Sequence, residues 1–135
     1  HPAMAHRRLR VVRVLLDTHV WLWWLADEPL SDPVTSALGD AHTDVLVSAA
    51  SVWEVSIKRA LGKLNVEAGL EDELDADGFG SLPITVTHAS VAGDLPPHHG
   101  DPFDRMLVAQ AQLEDLTLVT RDPALQAYDV PILVA

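Results

Sequence analysis

The chain is 135 residues long, 48% of them are hydrophobic, and it has no cysteine, so we expect a folded core without a disulfide framework. Its formal net charge of −11 argues against generic binding of nucleic acid through lysine and arginine. No apolar run approaches the roughly 20 residues that a membrane span needs. Composition therefore excludes a disordered chain, a disulfide-rich scaffold and a helical membrane protein.

The N-terminal segment is expected to lie outside the fold. His1–Met4 looks like a vector remnant ahead of the native Met4, and His6–Arg10 is basic but too short and too weakly apolar for a signal peptide. We therefore expect a remnant and a solvated tail over residues 1–10, and a single domain over residues 11–135. With no cysteine and no membrane segment, the cytoplasm is the expected compartment.

The first predicted strand ends in an acid. Val11–Leu16 is a run of valine and leucine, interrupted by one arginine, and is typical of a strand buried on both faces. Asp17 follows it directly, and Thr18 comes next. Ligands in an open α/β sheet bind beyond the carboxyl ends of the strands, which makes Asp17 the first candidate site residue.

Helices and strands alternate through the rest of the first half. His19–Ala26 is a short apolar helix with three tryptophans, for which core packing is the favoured interpretation and contact with a partner chain the alternative. The elements expected next are a helix that starts near Ser31-Asp32-Pro33 and ends by Gly39, a strand over Asp44–Ser48, and a helix over Ala50–Leu61 that Gly62 ends.

The helix over Ala50–Leu61 has two faces of different character. Its apolar residues recur at helical spacing and form one stripe of the kind that packs on a core, namely Trp53, Ile57, Ala60 and Leu61. Ser51, Glu54 and Lys58 lie together on another face. The sequence Ser51–Glu54 also matches a capping box, which would place the start of the helix near Ser51.

The second half continues the alternation. The expected elements are a solvated helix and glycine turn within Val66–Gly80, an edge strand over Leu82–Val86, a helix over His88–Asp94, a buried helix from Asp101 to about Glu114, a strand over Leu116–Thr120, a short helix, and a strand over Val130–Val134. Strands separated by helices require crossover connections. The predicted fold class is therefore α/β, a three-layer α/β/α sandwich with a central parallel sheet.

Four acids fall where such a fold would bring them together. Asp17 and Asp122 each follow a buried strand, Glu54 lies one turn into the helix after the second strand, and Asp104 lies in the first turn of the buried helix. Clustered carboxylates repel one another unless positive charge lies among them. Oxygen ligands without cysteine favour Mg²⁺ or Mn²⁺, and one or two such ions commonly serve phosphodiester hydrolysis.

Each of these acids also has a structural interpretation. Asp17, Asp101 and Asp122 can each cap the helix that follows, and Asp104 can reach back to the start of its own helix. Glu54 can simply pair with Lys58 one turn away.

Other polar residues near the acids also have two interpretations. Lys58 and Arg105 lie within helical reach of the acids and either contact substrate phosphate or balance charge. His98 and His99 lie in a proline-rich loop, and a loop role is favoured for them over metal binding, because adjacent histidines point in different directions.

Four blocks of the sequence, in order and at sensible spacing, resemble the PIN-domain family and specifically its VapC-type toxins. The blocks are Leu15–Leu25, Ser48–Lys58 with Gly62–Leu64, His99–Ala111, and Leu118–Asp122. The resemblance implies a PIN-like α/β/α fold and an endoribonuclease that depends on Mg²⁺ or Mn²⁺. It also implies inhibition by a cognate antitoxin and a homodimer.

The family's acids correspond to Asp17, Glu54, Asp104 and Asp122 in this sequence, with Asp104 a better match than Asp101, which stays possible. The resemblance implies that Asp17 and Asp104 are the main metal ligands and that Asp122 binds the metal directly or through water. Glu54 would orient the attacking water or complete the site. Thr18 fits the hydroxyl residue that often follows the family's first acid.

Three other functions are alternatives to this one. A receiver-like signalling module also gathers acids at its strand ends, but it usually needs a lysine at the end of a late strand, where this chain has Thr120 and Arg121. A phosphatase with an aspartate nucleophile needs an Asp-x-Asp pattern, and this chain has His19 two residues after Asp17. Structure-specific cleavage of DNA is an alternative within the nuclease class.

Overall fold

The computed structural model describes residues 12–67 and 69–135, so the predicted tail over residues 1–10 lies outside the described residues. In chain order, the elements of the described residues are β1 (Val12–Leu16), α1 (Thr18–Leu25), α2 (Asp32–Gly39), β2 (Thr43–Ser48), α3 (Ala49–Ala60), α4 (Leu70–Asp77), β3 (Gly80–Leu82), α5 (Val86–Asp94), α6 (Pro102–Leu113), β4 (Thr117–Thr120), α7 (Pro123–Gln126) and β5 (Ile132–Val134). None of these helices is both long enough and apolar enough to cross a membrane.

The five strands form one parallel sheet in the order β3-β2-β1-β4-β5. Strands β2 and β3 follow β1 on one side of it, and β4 and β5 lie on its other side. Strands β1 and β4 are therefore neighbours at the point where the strand order reverses. Such a switch point is where open α/β sheets leave a crevice for ligands. The order also differs from the 2-1-3-4-5 order of receiver-like sheets, which removes the topological basis for that alternative.

Each face of the sheet packs against its own hydrophobic core, because side chains alternate along a strand. In β1, Val14 and Leu16 point into a core formed with α1 to α4, whereas Leu15 points into a second core formed with α6 and α7. All three side chains are buried. The two cores make three layers, which confirms the predicted α/β/α sandwich with a central parallel sheet.

Strand β3 is at the sheet edge, as predicted, but its predicted bounds of Leu82–Val86 are wrong. The strand covers Gly80–Leu82 and stops before Pro83, which has no backbone N–H to donate. Thr85 instead begins α5: its hydroxyl accepts a hydrogen bond from the backbone N–H of His88, and its own N–H donates to Nδ1 of His88. This reciprocal cap starts α5 at Val86, two residues earlier than expected.

Helix α3 corrects two further predictions. Its N-cap is Ser48, whose side chain accepts from the N–H of Ala50, so Ser51 does not cap the helix. The apolar stripe of α3 does not pack on the core, because Trp53 is 61% exposed and Leu61 is 64% exposed. The face that carries Ser51 and Glu54 is buried instead.

Other local predictions are confirmed. Among the three tryptophans of α1, Trp21 is fully buried, and Trp23 and Trp24 pack against the same core while remaining partly exposed. The acidic segment forms α4, which ends at Gly78 in a left-handed conformation with a φ of 71°. Glycine adopts this conformation without the steric penalty of a Cβ atom.

Candidate functional site

Asp17 lies at the carboxyl end of the central strand, and its carboxylate is held from two directions. Oδ1 accepts a hydrogen bond of 3.1 Å from the backbone N–H of His19, which caps α1. Oδ2 accepts a hydrogen bond of 2.7 Å from the hydroxyl of Thr120, the last residue of β4. Burial alone would raise the pKa of Asp17, but the hydrogen bonds from His19 and Thr120 outweigh it and lower that pKa.

Thr120 connects Asp17 to Asp122. The Thr120 hydroxyl donates to Asp17 and accepts a hydrogen bond of 3.0 Å from the backbone N–H of Asp122. Asp122 also caps α7, since its Oδ1 accepts from the N–H of Ala124 at 2.9 Å. Its other carboxylate oxygen, Oδ2, lies 3.3 Å from Nε2 of His99.

Asp104 lies in the first turn of α6 and is 8% exposed. Its Oδ2 is 2.8 Å from Nε2 of His99, so the imidazole lies between Asp104 and Asp122. Burial raises the pKa of Asp104 to about 7, with further contributions from the charges of Asp17, Asp101 and Glu54 that outweigh the opposing effect of His99. The ionised form of Asp104 is therefore unfavourable unless positive charge is added nearby.

Glu54 is buried on the inward face of α3. Its Oε2 accepts a hydrogen bond of 2.8 Å from Nζ of Lys58, and this contact raises the pKa of the lysine. Its Oε1 is buried without a hydrogen-bond partner among the described residues. Thr18 reaches the same helix, because its hydroxyl donates to Oγ of Ser51 at 2.8 Å, with both side chains buried.

Asp101 and Arg105 hold the neighbouring backbone. Asp101 caps α6 by accepting from the N–H groups of Phe103 and Asp104. The guanidinium of Arg105 donates to backbone carbonyls of the preceding segment, namely those of Ala92, Gly93, Leu95, Pro96 and His99. These contacts favour a role for Arg105 in fixing the loop before α6 over a role in binding phosphate.

The structure thus links Asp17, Asp104 and Asp122 through the side chains of Thr120 and His99, with Glu54 near enough for its charge to affect Asp104. Neither Thr120 nor His99 was a predicted site residue. Thr120 could have been identified from its place at the end of a buried strand beside β1. For His99 a loop role is the favoured prediction, but its ring lies against Asp104 and Asp122, because the loop folds back towards α7.

These residues fit a divalent cation. Asp104 and Asp122 supply hard oxygen donors that lie within 4.8 Å of each other and of a ring nitrogen of His99, and the buried Oε1 of Glu54 has no hydrogen-bond partner among the described residues. Added positive charge would also relieve the repulsion that raises the pKa of Asp104.

Comparison with known sequences gives matches over most of the chain. The model of the PIN domain family matches residues 14–131. Ribonuclease VapC22 of Mycobacterium tuberculosis is 32% identical over 122 residues, which cover 87% of this chain and 93% of that protein.

Solved structures show the same fold at lower identity. FitAcB from Neisseria gonorrhoeae is 24% identical with a TM-score of 0.66, covering 89% of this chain and 96% of that one. VapBC2 from Rickettsia felis, bound to a DNA fragment from its promoter, is 13% identical with a TM-score of 0.67, covering 91% and 98%. With a family match over most of its length and acids meeting where its parallel strands end, this chain belongs to the PIN-domain family.

Proposed function

We propose that this chain is an endoribonuclease that depends on Mg²⁺ or Mn²⁺ and acts as the toxin of a toxin–antitoxin pair, as a single PIN-like domain over residues 11–135. The observation that carries the proposal is the convergence of Asp17, Asp104 and Asp122 at the switch point of the sheet. The similarity to Ribonuclease VapC22 supports RNA as the substrate class.

The proposed metal ligands are Asp17, Asp104 and Asp122. A bound divalent cation would lower the pKa of a coordinated water and offset the charge that develops on the phosphoryl oxygens. Thr120 fixes the orientation of Asp17, and the cap on α7 fixes Asp122, so the carboxylates are held in place by the scaffold. Such preorganisation avoids reorganisation costs during the reaction.

Glu54 is proposed to orient the water that attacks phosphorus. Lys58 holds one of its carboxylate oxygens and leaves Oε1 free to accept a hydrogen bond from that water. Lys58 itself would screen substrate phosphate, since its side chain is 37% exposed while its amine remains charged. Thr18 would support this arrangement by tying α1 to α3.

The charge balance supports metal dependence. The chain carries 20 acidic residues against 9 lysine and arginine residues, and within the described residues Arg105 and Arg121 donate to backbone carbonyls. Attraction of a phosphodiester to this acidic edge therefore has to come mainly from bound cations.

The proposed partners are a cognate antitoxin and a second copy of the chain, and the proposed compartment is the cytoplasm. Support for an antitoxin comes from the structural neighbours, which include a toxin–antitoxin complex from Klebsiella pneumoniae that is 18% identical with a TM-score of 0.63. An acidic site of this kind would suit an arginine or lysine supplied by an inhibitor.

Cleavage of matched single-stranded RNA and DNA, with Mg²⁺, Mn²⁺ or EDTA, tests the proposal. We expect cleavage of RNA with either metal, none in EDTA, and at least about a 100-fold loss in Asp17→Asn, since even residues that only support metal ligands cost 10- to 100-fold. Asp129→Asn, which changes an exposed acid, is the matched control and should retain activity. Full activity of Asp17→Asn would refute the proposed site, and cleavage of DNA alone would favour the DNA nuclease.

A further inference from the structure

His99 lies between two of the proposed metal ligands although it comes from a proline-rich loop. Its Nε2 atom is 2.8 Å from Oδ2 of Asp104 and 3.3 Å from Oδ2 of Asp122. The three atoms form a compact group of one nitrogen and two oxygens, contributed by the loop, by α6 and by the residue after β4. The adjacent His98 is directed elsewhere, with its ring edge-on to Tyr128.

These separations suit neighbouring ligands of a single octahedral ion. Ligands bound at about 2.1 Å and at right angles are about 3.0 Å apart, from the bond lengths typical of such sites. The two measured separations lie on either side of that value.

We infer that His99 is a nitrogen ligand of the divalent ion, binding through Nε2 together with Asp104 and Asp122. The inference rests on the proposed metal dependence and extends it, because the ligand set becomes mixed rather than purely carboxylate. Glu54 lies outside this group of three, but its buried Oε1 has no hydrogen-bond partner among the described residues and its charge acts on Asp104.

The backbone around His99 is fixed independently of its ring. The N–H of His99 donates to the Tyr128 hydroxyl at 3.0 Å, and its carbonyl accepts from Arg105 at 3.3 Å. These contacts fix the backbone from which the ring projects. Replacing the side chain should leave the loop in place, because both of these contacts are made by the backbone.

Ligation also determines where the ring proton lies. Nδ1 is 3.4 Å from the backbone N of Asp101, a long contact, while Nε2 faces the two carboxylates. Binding through Nε2 needs its lone pair, so the proton must move to Nδ1 and the contact with Asp101 must open. The side chain of His99 is 22% exposed, so solvent reaches part of it.

A mixed ligand set predicts a metal preference. Carboxylate ligands suit Mg²⁺, whereas an imidazole ligand raises the affinity of a site for first-row transition ions relative to Mg²⁺. We therefore expect His99 to contribute more to the binding of Mn²⁺ than to the binding of Mg²⁺.

Pulsed electron paramagnetic resonance of the Mn²⁺-loaded full chain tests this inference directly, because it detects ¹⁴N coupled to the bound ion. We expect nitrogen coupling in the parent protein and in His98→Gln, the matched control, and none in His99→Gln. By calorimetry, His99→Gln should weaken Mn²⁺ binding by about tenfold or more and Mg²⁺ binding by less. His99→Asn serves as a second variant, and unfolding midpoints verify that each variant is folded.

Each other outcome has a distinct meaning. Mn²⁺ that binds without nitrogen coupling, or coupling that survives in His99→Gln, overturns the inference and leaves the proposed nuclease intact. Coupling lost in His19→Gln instead assigns the nitrogen to the residue that contacts Asp17, which also overturns it. Failure of the parent protein to bind Mn²⁺ or Mg²⁺ contradicts both the inference and the proposed metal dependence.

Discussion

Helices α3 and α6 are both twelve residues long and each carries one acid of the site, yet they differ in how much of their apolar surface is buried. Helix α6 buries most of the apolar residues at its centre, including Leu107, which is fully buried. Helix α3 leaves Trp53 exposed, as is Leu61 at its C-cap, and its buried face mixes the polar Ser51 and Glu54 with apolar residues such as Val55.

The difference comes from where each helix lies. Helix α6 packs between the sheet and α5, so apolar residues are needed on most of its sides. Helix α3 packs on β2, α1 and α6 near the site, and its inward face carries the polar groups that the site uses. An apolar stripe therefore predicts a helix reliably. It does not reveal which face of the helix is buried when the helix also contributes polar side chains to a site.

The largest expected effect is on the buried side of α6. Leu107→Ala should lower the free energy of unfolding by about 2–5 kcal/mol, because it leaves a cavity in a close-packed core. Leu113→Ala, at a 43% exposed position of the same helix, is the matched control and should cost much less. Urea denaturation measures both, and equal losses of unfolding free energy would contradict the contrast between the buried and the exposed positions of α6.

An intermediate effect is expected at Asp104, and it depends on pH. The pKa of Asp104 is raised to about 7, so the folded state binds one more proton than the unfolded state between about pH 4 and pH 7. The free energy of unfolding therefore falls as the pH rises through that range. Asn does not titrate, so Asp104→Asn should be more stable than the parent protein in EDTA at neutral pH, by about 1–3 kcal/mol, with no gain below pH 4. The same variant should lose nuclease activity, a trade of function for stability that is common at active sites.

Asp17 provides the opposite control in the same experiment. Its pKa is lowered, so its ionised form stabilises the fold above its ordinary pKa and that contribution is lost as the pH falls. Asp17→Asn should therefore be less stable than the parent protein at neutral pH. If the free energies of unfolding of the two variants depended on pH in the same way, the environments of the two acids would not differ as the structure indicates.

Much of this arrangement follows from the sequence because parallel strands end at one edge. Asp17 and Asp122 could be placed together on that rule alone, without knowledge of the strand order. His99 could not, because its position depends on the loop contacts made by Arg105 and Tyr128, which have no local pattern. The limits of β3 were mispredicted for a related reason: Thr85 and His88 cap a helix where periodicity alone indicates a strand.

The smallest effect is expected on the outer side of α3. Leu61 belongs to the predicted core-facing stripe, but it is 64% exposed, so Leu61→Ser should change the unfolding free energy by less than about 0.5 kcal/mol. The measurement should be made at protein concentrations where the urea midpoint no longer depends on concentration, so that contacts between copies of the chain do not contribute. A loss comparable to that of Leu107→Ala under those conditions would mean that the stripe packs inward after all. Helix α3 would then be rotated from its observed position, and Glu54 could not share a site with Asp104.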